Sequence, residues 1–216
     1  MLKENLLLDS ARPFSNDRNN SFGCPEHSSE GVLSSYHEAD KWYVLRVSYS
    51  REMKIKSVLD EKGVPTFVPM IWRKKIVAGK EEKCLVPAVG NMCFAYWNRT
   101  MLDEFIQSYG ENSPVHYYWD RTSRSPMVVP DKAMTDFIAV ASSMDEDLMY
   151  LTEISDKLRE GQAVRVKTGV FAGVEGRIVR IRKSRRLLVE IPGMLAVASA
   201  YIKLEDAKLI TKICNI

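Results

Sequence analysis

The sequence contains no apolar run that approaches the roughly 20 residues of a membrane-spanning helix. Its first residues include the apolar triplet 6–8, but acidic residues interrupt this stretch early and no signal-peptide core follows. These absences argue against a membrane protein and predict a cytoplasmic one.

Cysteine and histidine are scarce, with four and three residues respectively. The cysteines show no CxxC spacing, so the sequence predicts reduced thiols rather than a zinc site or a disulfide framework. Cys24, Glu26 and His27 lie close together, but two good ligands in a flexible segment do not make a metal site. No histidine forms a recognisable catalytic motif with a cysteine or serine, and the glycine-rich stretch 169–176 lacks the Lys-Ser/Thr of a phosphate-binding loop. We therefore expect no enzyme activity, no metal and no cofactor.

Hydrophobic residues make up 45% of the chain, enough to bury a substantial core. The net charge is only +3, but it is unevenly distributed. Residues 1–40 carry −4, residues 41–150 carry +1 and residues 157–216 carry +8. This distribution predicts an acidic leader, a near-neutral middle and a basic carboxy-terminal segment rather than one homogeneous domain.

The leader, residues 1–40, is rich in polar residues without periodicity, and we expect it to be disordered. Residues 41–142 show the pattern β-α-β-hairpin-β-α-β-α, in which Ser50 and Thr100 are the predicted caps of the first two helices. Two helices on one face of a small antiparallel sheet predict an α+β sandwich of ferredoxin-like type. The predicted elements are strands at 42–47, 64–71, 92–97 and 115–119, a basic hairpin after residue 72, and a third helix opening at Pro130.

A linker at 143–159 with a short helical pattern precedes a second domain at 160–212. In this domain Val164 and Val166 alternate with basic residues, and several glycines permit tight turns. Four or five short strands within about 50 residues predict a small β-barrel. No helical period across 161–202 competes with the strands.

The opening of this second domain resembles a KOW motif, the signature of small SH3-like barrels in transcription factors and ribosomal proteins. Gly173 and Gly176 suit positive φ angles or close backbone approach, and Phe171 can fill the barrel. The residues whose spacing matches the motif are Gly161, Val164, Val166, Gly169, Phe171, Gly173 and Gly176.

The preceding domain resembles the amino-terminal (NGN) domain of NusG-type transcription elongation factors, on the stretches KWYVLRV, VPTFVPM and PMVVPDKAMTDFI. It is most similar to the specialised RfaH-like and UpxY-like antiterminators, because of the stretch FVPMIWRKKIVAGK and the long leader. The resemblance implies a monomeric factor that binds elongating RNA polymerase and suppresses pausing or termination at particular operons. A housekeeping NusG factor and a ribosome-associated KOW RNA-binding protein are the alternatives.

The resemblance also implies that an apolar, aromatic-rimmed concavity grips the clamp helices of RNA polymerase. Trp42 and Tyr43 point to opposite faces of their strand, and we expect Tyr43 to be the exposed one. Met92 stands where relatives carry an aromatic anchor, and Arg99 and Thr100 stand where relatives touch the other side of the polymerase cleft. The implied polymerase-binding residues are Trp42, Tyr43, Phe67, Val89, Met92, Arg99 and Thr100.

Two basic stretches are candidates for nucleic-acid contact, although a solvated charged face is the plain alternative for each. At the first hairpin, Trp72 is placed to stack on an unpaired base while Arg73, Lys74 and Lys75 follow the non-template DNA strand. In the second domain, basic residues bunched on one hairpin predict contact with nascent RNA, or with the ribosome or a termination factor. These residues are Arg182, Lys183, Arg185 and Arg186, with Arg177 and Arg180 nearby.

Overall fold

The computed structural model describes residues 39–77, 80–143, 145–153, 155, 158, 160–199, 202 and 206–209. Residues 1–38 of the predicted disordered leader, with its three candidate ligands, therefore lie outside the described residues. None of the described helices combines the length and hydropathy that a membrane span requires.

The first part of the chain, up to residue 141, contains nine strands and three helices within the described residues. Its strands are β1 (Lys41–Val47), β2 (Thr66–Phe67), β3 (Met70–Val77), β4 (Lys80–Pro87), β5 (Met92–Trp97), β6 (Val115–Tyr117), β7 (Trp119–Asp120), β8 (Ser125–Pro126) and β9 (Val128–Val129). Its helices are α1 (Glu52–Glu61), α2 (Arg99–Gln107) and α3 (Asp131–Ala141).

Four of these strands form an antiparallel sheet in the order β2-β5-β1-β6, and β9 also pairs with β1. When these four strands are numbered 1 to 4 along the chain, their order in the sheet is 2-3-1-4, which is that of a ferredoxin-like sheet. The predicted α+β sandwich is confirmed. Alternate residues of β1 explain the packing: Tyr43, Leu45 and Val47 face α1 and α2, where they meet Ile55 and Leu59.

Three local predictions need correction. Ser50 does not cap α1, because it lies in a left-handed turn with φ 52° and the capping position belongs to Arg51. Asn98 rather than Thr100 caps α2, since its Oδ1 accepts the backbone N–H of Met101 at 2.9 Å. The predicted strand 64–71 is broken into β2 and β3, and β2, which lies between Pro65 and Pro69, is at the sheet edge, where proline is tolerated.

Helix α3 covers the other face of this sheet and also contacts the second part of the chain. The ring centroid of Phe137 lies 6.1 Å from Phe94, 6.2 Å from Phe67 and 6.3 Å from Tyr150. The same core cluster contains Leu187 and other buried residues of the second sheet. One helix therefore supplies apolar surface to two sheets.

The second sheet is antiparallel throughout and runs in the order β10-β14-β13-β12-β11-β15. Its strands are β10 (Met149–Leu151), β11 (Gln162–Val166), β12 (Glu175–Ile181), β13 (Ser184–Ile191), β14 (Leu195–Ala198) and β15 (Ala207–Leu209). The chain meanders from β11 to β14, and β15 returns to pair with β11. Among the described strands β10 and β15 are the two edges, so strand pairing does not close the sheet into the predicted barrel.

The helix predicted within the linker is wrong for residues 149–151, which form the strand β10. Met149 and Leu151 pack on the cluster around Leu188, whereas Tyr150 packs on the cluster around Phe137. This alternation has the period of a strand, and pairing with β14 satisfies the backbone groups.

Gly176 permits the close approach of β12 and β13. A methyl group at this position would lie 2.5 Å from the carbonyl oxygen of Leu188 and 2.9 Å from Cδ1 of Leu187. We expect Gly176→Ala to lower the free energy of unfolding by about 2 kcal/mol through overpacking, as measured by urea denaturation. Gly90→Ala is the matched control, because no atom lies within 4 Å of the added methyl group. Equal stability of the two variants would refute this explanation of Gly176.

Candidate functional site

A groove of about 930 Å³ opens between the start of β5, the segment from β7 to β9, and the turn between β13 and β14. Backbone hydrogen bonds tie its wall to the sheet: the N–H of Tyr118 donates to the carbonyl of Val44 at 2.9 Å, and that of Met127 donates to the carbonyl of Tyr118 at 2.7 Å. The apolar lining residues are Val89, Met92, Tyr118, Trp119, Pro126, Met127, Val128, Pro192 and Met194.

Two large apolar side chains of this groove are well exposed. Trp119 is 58% exposed and Val128 is 42% exposed. Polar residues of the β7–β8 turn complete one wall, among them Arg121 and Ser123. An apolar floor with an aromatic residue and a polar rim is the arrangement that takes up an amphipathic helix.

The structure divides the predicted polymerase-binding residues between two faces of the sheet. Trp42, Phe67, Val89 and Met92 belong to the face covered by α3, and the last two line the groove. The expectation that Tyr43 is exposed is wrong: its side chain is 2% exposed and packs with α1 and α2. The alternation along β1 was foreseen, but the helices cover the face that was expected to be open.

Arg99 and Thr100 lie in the first turn of α2, on the Tyr43 side of the sheet. The Arg99 guanidinium contacts Asp103 through Nε at 2.9 Å and lies 4.9 Å from the ring centre of Tyr117. The Tyr117 hydroxyl donates to Asp103 at 2.8 Å, and burial together with this bond raises the pKa of Tyr117. Arg99 is therefore held in place, while Thr100 is exposed.

The strands β3 and β4 form a two-stranded hairpin whose register separates the predicted nucleic-acid residues. Trp72 pairs with Leu85 and shares its face with Lys74, whereas Arg73 and Lys75 lie on the opposite face. Lys74 forms an ion pair with Glu81 at 2.9 Å. Arg73 and Lys75 are exposed and have no ion-pair partner among the described residues. With Lys80 they form what we call the basic face of this hairpin.

The β12–β13 tip concentrates positive charge in an unfavourable geometry. Arg180 and Arg185 are direct cross-strand partners, and Arg182 and Lys183 have left-handed φ angles of 49° and 68°. Opposed like charges and left-handed non-glycine residues both cost stability. Arg186 is wrongly included in the predicted patch: it is 9% exposed, and its guanidinium donates to the carbonyls of Asp147 at 2.6 Å and Ser199 at 2.8 Å.

Comparison with known proteins assigns the first domain. Residues 40–138 match the family model described as transcription termination factor NusG. This part of the chain is similar to the NusG family. The match covers 99 of the 216 residues.

Other comparisons add little to the NusG match. No curated protein matches the chain. A solved structure described as "Domain interaction in Thermotoga maritima NusG" aligns with 80% of this chain and 98% of its own, at 17% identity and a TM-score of 0.42. That likeness is too weak to support a conclusion.

The residues of the predicted KOW motif lie in β11, in β12 and in the turns that flank β11. Val164 and Val166 are buried, and Phe171 is half-buried against the main cluster. Gly169 and Gly173 have φ angles of 84° and 86°, which favour glycine. A methyl group at Gly161 would lie 2.8 Å from Cγ1 of Val179, so Gly161, like Gly176, permits a close approach.

Sequence reasoning missed one feature of the first domain. Trp119 was predicted as the last residue of the strand 115–119, but it begins the short β7–β8 hairpin and is exposed. Arg121 and Arg124 follow it within five residues. The alternation of an aromatic residue with basic and hydroxyl residues in WDRTSRS was the available signal.

Chemical reactivity is low at the two cysteines that the structure describes. Burial raises the pKa of the Cys93 thiol to about 12, which keeps it protonated. Cys84 is half-buried on the β3–β4 hairpin, and its thiol lies 3.5 Å from the carbonyl oxygen of Arg73. Neither residue forms a catalytic arrangement, and no cluster of metal-ligating side chains occurs in the described part of the chain.

Proposed function

We propose that this protein is a transcription factor that binds elongating RNA polymerase through the groove and suppresses pausing or termination. The match of residues 40–138 to the NusG family carries the proposal, because most of the groove lining belongs to those residues. The groove accepts the clamp helices of the polymerase, with Val128 and the half-buried Val89 as apolar contacts above Met92, which is buried beneath them.

Thr100 and the anchored Arg99 are placed on the other side of the sheet and touch the opposite wall of the polymerase cleft. Bridging the cleft favours the closed clamp, and a ligand that binds one state better shifts the population towards it. Binding energy is thus converted into processivity without chemistry. The protein acts as a monomer in the cytoplasm and serves particular operons, as RfaH-like factors do.

Single-round transcription across a pause site and a terminator tests this function. We expect the purified chain to increase read-through in proportion to its occupancy of the polymerase. A decrease in read-through that requires a termination factor would favour the housekeeping alternative. Binding to ribosomes without any binding to polymerase would favour the ribosome-associated alternative and refute the proposal.

Nucleic acid near the bound polymerase is contacted at two basic surfaces. The basic face of the β3–β4 hairpin follows the non-template DNA strand, and the β12–β13 tip contacts nascent RNA. The second contact is favoured by the tip's geometry, since a phosphate backbone neutralises the opposed Arg180 and Arg185.

Removing this pair should have opposite effects on binding and stability. In Arg180→Gln/Arg185→Gln, we expect the slope of log affinity against log salt for a single-stranded RNA to fall by about 1.4. The free energy of unfolding should rise by about 0.5 kcal/mol, because like charges no longer face each other. Salt titrations and urea denaturation measure the two effects. Lys208→Gln, an exposed cation on β15, is the control. An unchanged salt slope would assign the tip to a solvated surface.

A further inference from the structure

The hairpin formed by residues 119–126, here called the arginine hairpin, combines an exposed aromatic ring with two cations. Trp119 is the most exposed tryptophan among the described residues, at 58% against 39% for Trp72. Arg121 and Arg124 are both exposed, and neither has an ion-pair partner among the residues that the structure describes.

Internal hydrogen bonds make this hairpin rigid. The Asp120 carboxylate accepts the backbone N–H of Thr122 at 2.9 Å, the N–H of Ser123 at 3.3 Å and the Ser123 hydroxyl at 2.8 Å. These bonds lower the pKa of Asp120, foremost the one from the Thr122 backbone. The single acidic side chain of the hairpin is ionised and hydrogen-bonded within the turn, so the hairpin keeps a net positive charge from two arginines against one carboxylate.

The arginine hairpin has the combination that sequence reasoning sought at Trp72. On the β3–β4 hairpin, Trp72 lies on the face opposite to Arg73 and Lys75. The β12–β13 tip, residues 180–185, contains no aromatic residue. Among these three basic hairpins, only the arginine hairpin combines a well-exposed ring with arginines that have no ion-pair partner among the described residues.

We propose that the arginine hairpin binds single-stranded nucleic acid. The Trp119 ring stacks on one base, and Arg121 and Arg124 contact the phosphates on either side of it. Base-aromatic stacking tolerates every base, and arginine contacts add a salt-dependent term. This inference rests on the hairpin's own geometry and not on the proposed polymerase contact.

A protein partner is the competing occupant, because Trp119 and Arg121 also line the groove. A base-stacking site has one measurable property that a protein contact lacks: its affinity for a nucleic-acid strand depends on the bases as well as on the phosphates. Two fluorescent probes of about 20 nucleotides separate these contributions: oligothymidylate and an abasic strand with the same number of phosphates.

The experiment measures fluorescence anisotropy with the full chain. We expect oligothymidylate to bind more tightly than the abasic strand. Trp119→Ala should lower the affinity for oligothymidylate about tenfold and leave the affinity for the abasic strand unchanged. Trp119→Phe should restore part of the loss. Arg121→Gln/Arg124→Gln should lower the salt slope for both probes by about 1.4. Circular dichroism and urea denaturation verify that each variant is folded.

The control is Tyr49→Ala/Arg51→Gln, which removes an 83% exposed ring and an arginine that lies 5.4 Å from its centre. Tyr49 follows the carboxyl end of β1 and Trp119 follows β6, so antiparallel pairing places the two rings at opposite ends of the sheet. We expect this control to bind both probes like the natural chain. If the control and Trp119→Ala lose the same affinity for oligothymidylate, the proposed site is refuted.

Two further outcomes would overturn the proposal. One is equal affinity of Trp119→Ala and the natural chain for oligothymidylate. The other is that Trp119→Ala and Arg121→Gln/Arg124→Gln both lose binding to core polymerase that is free of nucleic acid, while both keep their oligonucleotide binding. That result would show that the hairpin contacts protein. Val128→Glu separates this inference from the proposed function, because it should lose polymerase binding and keep oligothymidylate binding.

Discussion

Replacing Phe137 with alanine should lower the free energy of unfolding by about 3–5 kcal/mol. The side chain is fully buried, and the rings of Phe67, Phe94 and Tyr150 surround it at centroid distances of 6.1 to 6.3 Å. Three aromatic neighbours cannot collapse into the vacated space without losing contacts with one another, so the cavity persists. Equilibrium urea denaturation, followed by tryptophan fluorescence and circular dichroism, measures the loss.

The same substitution tests whether α3 joins the two sheets. Because Phe137 and Leu187 belong to one core cluster, we expect a single unfolding transition that moves as a whole to lower urea. Ile76→Ala, at a side chain that is 74% exposed, should change the stability by less than about 0.5 kcal/mol. A loss below about 1 kcal/mol in Phe137→Ala would contradict the packing described for α3.

Introducing a charge into the groove should have the largest effect on binding. Val128 is 42% exposed on β9 and lines the groove, so Val128→Glu places a carboxylate in the proposed contact with a polymerase helix. We expect affinity for core RNA polymerase to fall about 30-fold or more, as happens when an interface loses a dominant apolar anchor. Surface-immobilised polymerase and titrated protein measure the two affinities.

Val170→Glu is the matched control for this variant. Val170 is 89% exposed on the loop after β11 and does not line the groove. The control should bind polymerase like the natural chain. If both variants bind equally well, the groove is not the polymerase contact.

Periodicity in the sequence predicted most strands and helices, but it did not predict which face of a strand would be covered. Trp42 and Tyr43 were correctly placed on opposite faces, yet the exposed member was chosen wrongly, because the choice depends on where α1 and α2 pack. The β3–β4 register likewise separates Trp72 from Arg73, which are neighbours in sequence. Which side chains share a face, and whether that face is covered, depends on cross-strand pairing and helix packing, which join residues that are far apart in the sequence.

Two other errors have the same origin. Arg186 follows Arg185 in sequence, but alternation along β13 turns its side chain inward to the carbonyls of Asp147 and Ser199. The apolar spacing around Tyr150 fits a helix locally, but pairing with β14 makes the segment a strand. By contrast, the glycines of the KOW-like motif were correctly interpreted from sequence, since a left-handed turn or a close approach leaves few other residue choices.

Hydrogen exchange of the full chain, free and bound to core RNA polymerase, tests the central claim most directly. If the groove is the contact, backbone amides in residues 89–92 and 127–128 should exchange more slowly in the complex. Amides of the β12–β13 tip, residues 180–185, should be unaffected when no RNA is present. Unchanged exchange along the groove in a chain that is demonstrably bound would contradict the proposed polymerase contact.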